Sequence, residues 1–338
     1  MTVAQKSLPI TPVFVLGGAR NGTTWLGNVL GLHPKITTVQ HELHHGSHES
    51  NIFRQQRFYG DLSDPDAYIR FVQLYATEDY FQLAGGTPER LYKHRFATFY
   101  EAFFDLMDRY TLEQGNTHWS TKLDPLFAVD DAAFTTFLSI LRARYKTVKW
   151  VGIQRDVVAC MNSYVWMEGR QRASRSRAIN RVPTLLLGGA RYAAQYDFLR
   201  KFGAKVNAFW MEFDELKKDR EATSARLDVY LGLENSLGIG VPDQYRKNTS
   251  FKGRVANQEL SGTERRFVRT LNGVFSKLPG LATGLYGLYE NRIKGITDPT
   301  YRKLLKRRYF PEQFATELDQ VGATDLLDQL GTNKAGSQ

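Results

Sequence analysis

The chain has a single cysteine, Cys160, among 338 residues. An internal disulfide is therefore impossible, and a reducing compartment suits it. No apolar run approaches the roughly 18–20 residues that cross a bilayer, and Met1 to Ser7 lack the basic-then-apolar pattern of an export leader. The expectation is a soluble, cytoplasmic protein with no transmembrane segment. Repeats, low-complexity tracts and a clean interdomain linker are also missing. Helix-turn-helix, RNP and zinc-finger patterns are not found, so the net charge of +10 is not assigned to nucleic acid. It fits a polyanionic small molecule or a plain solvated surface. Hydrophobic residues at 42% against 24% charged are enough to bury a substantial core.

One stretch, Pro12 to Leu30, organises the rest. Val13 to Leu16 is a short apolar run that reads as a buried strand. Gly17, Gly18 and Gly22 follow, and they let the backbone turn tightly and approach a ligand. Thr23 and Thr24 then open a helix in which Trp25, Leu26, Val29 and Leu30 recur at helical spacing. Backbone N–H groups at such a helix start, with the Thr hydroxyls and the Arg20 guanidinium, form a site for a phosphate-like anion. A plain strand-to-helix turn is the alternative. Gly17 and Gly22 have the spacing of the NTPase pattern G-x-x-x-x-G-K-S/T, but Thr23 stands where the Lys must be. Without that cation an ordinary nucleotidase is not expected.

A second stretch repeats the architecture. Val148 to Ile153 is β-rich, Arg155-Asp156 follows, and Asp156 suits the start of a helix carrying Ser163 eight residues after the Arg. Eight helical residues rise about 12 Å, so Arg155 must extend along the helix for both to meet one anion.

Arg20-Asn21-Gly22-Thr23-Thr24-Trp25 resembles the 5′-phosphosulfate loop of sulfotransferases, in which a basic residue and a small Ser or Gly precede Gly-Thr-Thr and an aromatic. Asn21 replaces the small residue. Arg155 with Ser163 resembles the 3′-phosphate motif of the same family, with Val157 in place of its usual Pro. The resemblance implies an α/β fold, a three-layer α/β/α arrangement around a central parallel sheet, P-loop-like and akin to nucleotide kinases. It implies transfer of a sulfuryl group from 3′-phosphoadenosine 5′-phosphosulfate (PAPS, leaving PAP) to a hydroxyl of a carbohydrate, lipid or small metabolite, with no metal required. Arg20, Asn21, Gly22, Thr23 and Thr24 would hold the phosphosulfate, Trp25 would lie against the adenine, and Arg155 and Ser163 would hold the 3′-phosphate. Lys252-Gly253-Arg254 resembles the late basic loop that closes over that phosphate. Trp119-Ser-Thr-Lys122 resembles a segment whose Lys points at the sulfuryl group, the alternative being an exposed loop charge. Glu42, twenty residues beyond Gly22, matches the position of the family's catalytic carboxylate, with His41 and His44 as fallback bases.

The same segment reads differently without the resemblance. His41, Glu42 and His45 spell H-E-x-x-H, which on a helix would hold zinc in a hydrolase. A β-rich run precedes it and Gly46-Ser47 follows, so a polar loop is the competing reading. A non-catalytic nucleotide- or polyanion-binding protein is a third.

Elsewhere, Tyr68, Phe71, Val72 and Tyr75 fit one helix face, as do Phe99, Phe103, Leu106, Met107 and Tyr110. Both stripes read as core. Asp130 to Leu141 reads as a helix. Arg170, Arg172, Arg175, Arg177 and Arg181 read as a solvated basic loop or a mobile lid. Val206 to Leu216, containing Phe213-Asp-Glu-Leu, and Leu227 to Leu233, with Gly232 as a helix end, read as structural. Tyr301 to Leu330 resembles a C-terminal docking helix. A single domain over 10–330 is expected, with helical insertions near 51–114 and 165–200 and a frayed tail at 331–338. A homo-oligomer is compatible with all of this.

Overall fold

The computed structural model describes residues 9–41, 46–47, 52–123, 131–173, 181–234 and 259–288. Its first strand, β1 (Thr11–Leu16), alternates its side chains between two apolar layers, and every residue after Thr11 is buried. A strand covered on both faces has to be apolar throughout. Four more strands run parallel to it: β2 (Ile36–Thr38), β5 (His118–Lys122), β6 (Lys149–Gln154) and β7 (Phe209–Glu212). The sheet order is β2-β5-β1-β6-β7. Two short bridging segments, β3 (Gln40–His41) and β4 (Gly46–Ser47), pair antiparallel to each other after β2.

On one face, Val13, Val15, Val151, Ile153 and Met211 pack against α1 (Thr23–Gly31) and α11 (Arg220–Leu231) through Leu26, Leu30, Leu227 and Leu231, with Leu216 of α10 (Phe213–Lys218). On the other, Phe14, Leu16, Trp119 and Trp150 join a larger, aromatic-rich cluster. That cluster takes in α2 (Ile52–Tyr59), α3 (Pro65–Tyr75), α4 (Asp79–Leu83), α5 (Pro88–His94), α6 (Phe99–Glu113), α7 (Asp131–Arg144) and part of α9 (Arg181–Val206). The result is helices, parallel sheet, helices. Beyond the sheet, α8 (Val157–Ala173), α9, α12 (Gly262–Lys277) and α13 (Pro279–Leu288) pack on one another.

Local chemistry explains the helix starts. Asp64 Oδ1 accepts the backbone N–H of Asp66 at 2.7 Å, with Pro65 in the first turn of α3. Thr98 and Glu101 form a reciprocal capping box at α6. Of the two aromatic stripes expected to be core, Tyr68, Phe71, Val72, Tyr75, Phe99, Phe103, Leu106 and Met107 are buried, and Tyr110 is half-buried against the same cluster. Gly232 ends α11 in the left-handed region at φ 74°.

Two details depart from the sequence reading. Trp119 to Lys122 is a strand, inserted between β1 and β2, rather than an exposed loop. Its polar Ser120 is tolerated inside the sheet because its hydroxyl bonds the Thr38 hydroxyl at 2.5 Å. The basic loop is shorter than expected, since α8 runs through Arg170 and Arg172 and α9 begins at Arg181; Arg175 and Arg177 lie outside the described residues. His41, the first residue of the H-E-x-x-H segment, pairs antiparallel with Gly46; residues 42–45 lie outside the described residues.

Candidate active site

The carboxyl ends of the strands converge on one crevice. The helix after β1 packs on one face of the sheet and the helix after the neighbouring β5 on the other. Such a divergence opens a binding crevice at the strand ends. Thr24, at the start of α1, and Lys122, the last residue of β5, meet there: Lys122 Nζ donates to Thr24 Oγ1 at 3.0 Å. Lys122 is only 8% exposed, so its ammonium is held inside the crevice rather than in solvent.

The first turn is shaped by its glycines. A Cβ on Gly17 would sit 2.4 Å from Thr23 Cγ2 and 2.8 Å from the Ile153 carbonyl oxygen. Gly22 has φ 105° and serves as the N-cap of α1 with no side-chain cap bond. A glycine there supplies no side chain to cap the first N–H groups of α1. Arg20 also lies in the left-handed region, at φ 69°, a conformation that side-chain-bearing residues hold only where the surroundings enforce it.

The second turn touches the first. Arg20 Nε donates to Ser163 Oγ at 2.9 Å, and the backbone N–H of Arg155 donates to Asn21 Oδ1 at 2.8 Å. Asp156 starts α8, its carboxylate accepting the N–H of Ala159 at 3.1 Å. Ser163 is 2% exposed. The hydroxyl of Ser163 is thus engaged by Arg20 of the other turn, while Arg155 meets that turn through its backbone. The Arg155 guanidinium lies 4.8 Å from the centre of the Phe213 ring, and its Nε is buried without a hydrogen-bond partner among the described residues. Burial lowers the pKa of the Arg20 guanidinium from its ordinary value, and the positive charges of Arg155 and Arg191 lower it further.

Phe213, which the sequence marks as structural, borders the site. Its ring meets Trp25 edge-on, with centroids 6.4 Å apart, and it lies directly over Gly22. Its position, immediately after β7 at the carboxyl edge of the sheet, was the available signal. Gln195 had none. It is a buried amide on α9 whose Oε1 accepts the Ala19 N–H at 2.7 Å, across 176 residues of chain. Tyr192, one turn earlier, donates its hydroxyl to the Arg155 carbonyl at 3.0 Å. Beside the first turn, on the α9 side, a cavity of about 390 Å³ is lined by Asn21, Gln154, Tyr192, Tyr196, Arg200 and Trp210.

Of the remaining expected site residues, His41 ends β3, while Glu42, His44, Lys252, Gly253 and Arg254 lie outside the described residues, as do His45 and the 301–330 segment.

Residues 12–236 match the family model described as "Sulfotransferase family". No curated protein matches the chain significantly in sequence. Solved structures similar to it include the sulfotransferase domain from the curacin biosynthetic pathway, at 14% identity and a TM-score of 0.45 over 80% of this chain and 91% of that one. The sulfotransferase domain of the Synechococcus PCC 7002 olefin synthase has the same identity and TM-score, over 80% and 96%. Sulfotransferase STF9 from Mycobacterium avium has 12% identity and a TM-score of 0.45, over 81% and 77%. Among the described residues no helix is long and apolar enough to cross a membrane. With its family match spanning two thirds of its length, the chain belongs to the sulfotransferase family.

Proposed function

We propose that the protein transfers a sulfuryl group from PAPS to an acceptor hydroxyl. The observation that carries this reading is the direct contact of the two anion-binding turns, Arg20 Nε to Ser163 Oγ at 2.9 Å. One bisphosphorylated adenosine can span two turns so close. The donor chemistry fits the ligand as well. The Arg155 Nε, buried without a hydrogen-bond partner among the described residues, suits a dianionic phosphate.

In this reading the α1 N–H groups and the Thr23 and Thr24 hydroxyls hold the 5′-phosphate, with Arg20 reaching it or the 3′-phosphate from the junction of the two turns. Lys122 stabilises charge on the sulfuryl group in flight. Trp25 and Phe213 flank the adenine. Arg155 and Ser163, closed over by Lys252, Gly253 and Arg254, take the 3′-phosphate and so select PAPS over other adenine nucleotides. Glu42 takes the acceptor proton as its oxygen attacks sulfur, with His41 or His44 as the substitute base. The acceptor is a small molecule or carbohydrate, and a single buried, free Cys160 suits a cytoplasmic setting. The His41–Gly46 pairing weighs against the zinc-hydrolase alternative.

The test is incubation of the purified protein with PAPS carrying radiolabelled sulfate and a panel of sugar, sterol and phenol hydroxyls. Label transferred to an acceptor, with PAP released in equal amount, is the expected result. PAPS that is bound and never turned over with any acceptor would favour a non-catalytic nucleotide-binding protein.

A further inference from the structure

The Asn21 side chain meets the second turn. It is 4% exposed, and its Oδ1 accepts the Arg155 backbone N–H at 2.8 Å across 134 residues of chain. The Cys160 thiol, 3.4 Å away, points at the same oxygen. The thiol also lies 3.7 Å from the Arg20 carbonyl oxygen and 3.8 Å from that of Arg155. Burial pushes the Cys160 pKa up to about 12, so near neutral pH it stays a neutral S–H donor. The room for the amide comes from Gly18, where a Cβ would fall 2.6 Å from Asn21 Nδ2. A serine in place of Asn21 would carry its oxygen one bond closer to its own backbone and would not reach.

We propose that Asn21 is a positioning residue, a latch that fixes the first turn to the second so that the two ends of one nucleotide are bound as a unit. The inference rests on the PAPS reading above. A ligand anchored at both ends needs the two turns at one fixed separation, and a latch removes the cost of ordering them on binding. A ligand with one phosphate engages one turn and gains little from it.

The experiment compares three nucleotides by calorimetry, on wild type and on Asn21→Ala: PAP, adenosine 5′-monophosphate and adenosine 3′-monophosphate. In the variant, PAP affinity is expected to fall about five- to tenfold, the size of one lost net hydrogen bond. The two monophosphates are expected to change by less than about twofold. A merely structural role would weaken all three together, and that result, or no change in any, overturns the latch. Asn21→Ser keeps a polar group at the buried position but cannot reach Arg155, and carries the same expectation.

A second measurement needs no variant. Hydrogen exchange of the Arg155 amide in the nucleotide-free wild type is expected to be slowed well below the open-chain rate; exchange at that rate overturns the latch. The two readings fail separately. Wild type that binds PAP no better than ADP sinks the donor assignment, whereas a strong PAP preference left intact by Asn21→Ala sinks only the latch.

Discussion

Gly22→Ala probes the geometry on which both turns depend. At φ 105° any side-chain-bearing residue is strained, at about 1–2 kcal/mol. The added methyl would also fall 2.7 Å from Phe213 Cδ2 and 2.8 Å from Cε2. That ring cannot retreat freely, because the Arg155 guanidinium lies 4.8 Å from its centre and Trp25 meets its edge. Overpacking of this kind adds about 1–3 kcal/mol. The sum, about 2–5 kcal/mol, predicts a fall in thermal midpoint of about 3–7 °C for a chain of 338 residues and weaker PAP binding. The two contributions can be separated. Phe213→Leu shortens the obstructing side chain, so the double variant Gly22→Ala/Phe213→Leu should be more stable than the singles added together, by about 1–2 kcal/mol. Strict additivity would show that the methyl never meets the ring. A Gly22→Ala protein with wild-type stability would refute the turn geometry altogether.

Three further outcomes are expected. Arg155→Ala should weaken PAP binding about 10- to 100-fold, the range for charge-assisted hydrogen bonds, while binding of adenosine 5′-monophosphate is nearly unchanged; equal losses for both would detach Arg155 from the 3′-phosphate. Glu42→Gln should lower turnover about 10²- to 10⁴-fold with PAPS affinity retained, and activity near wild type would pass the role of base to His41 or His44. Stability should also depend on pH. Burial is the main cause that pushes the His118 pKa down to about 4, with His33, Lys149 and Lys35 adding to it. The unfolded chain takes up that proton near the ordinary histidine value of about 6.5, so the contribution is present above about pH 6.5 and lost as pH falls from there toward about 4. Urea midpoints across that window should drop in wild type and drop less in His118→Gln; superimposable profiles would contradict the assignment.

Much of the layout could be read ahead of the structure because it rests on local patterns. Val13 to Leu16 and Val148 to Ile153 are apolar runs with turn signals behind them, and both are buried central strands. The aromatic stripes of α3 and α6 declare their buried faces by spacing alone. What stayed hidden depends on partners distant in the chain. His118 to Lys122 carries mixed polar residues and looks like a loop, but its place between β1 and β2 buries Trp119, Ser120, Thr121 and Lys122. Asn21 looked like a mild departure from a short motif; its function in the fold emerges only with Arg155 beside it. Gln195 and Tyr192 lie in a long helix with no motif, and only tertiary packing brings them to the turns.

The central claim is that two adjacent turns grip the two phosphates of one adenosine. Calorimetric titration of the wild-type protein with PAP, ADP and ATP tests it most directly. The account predicts PAP binding at least about tenfold tighter than ADP or ATP, since only PAP presents a 3′-phosphate to Arg155 and Ser163. ADP or ATP binding as tightly as PAP would contradict it.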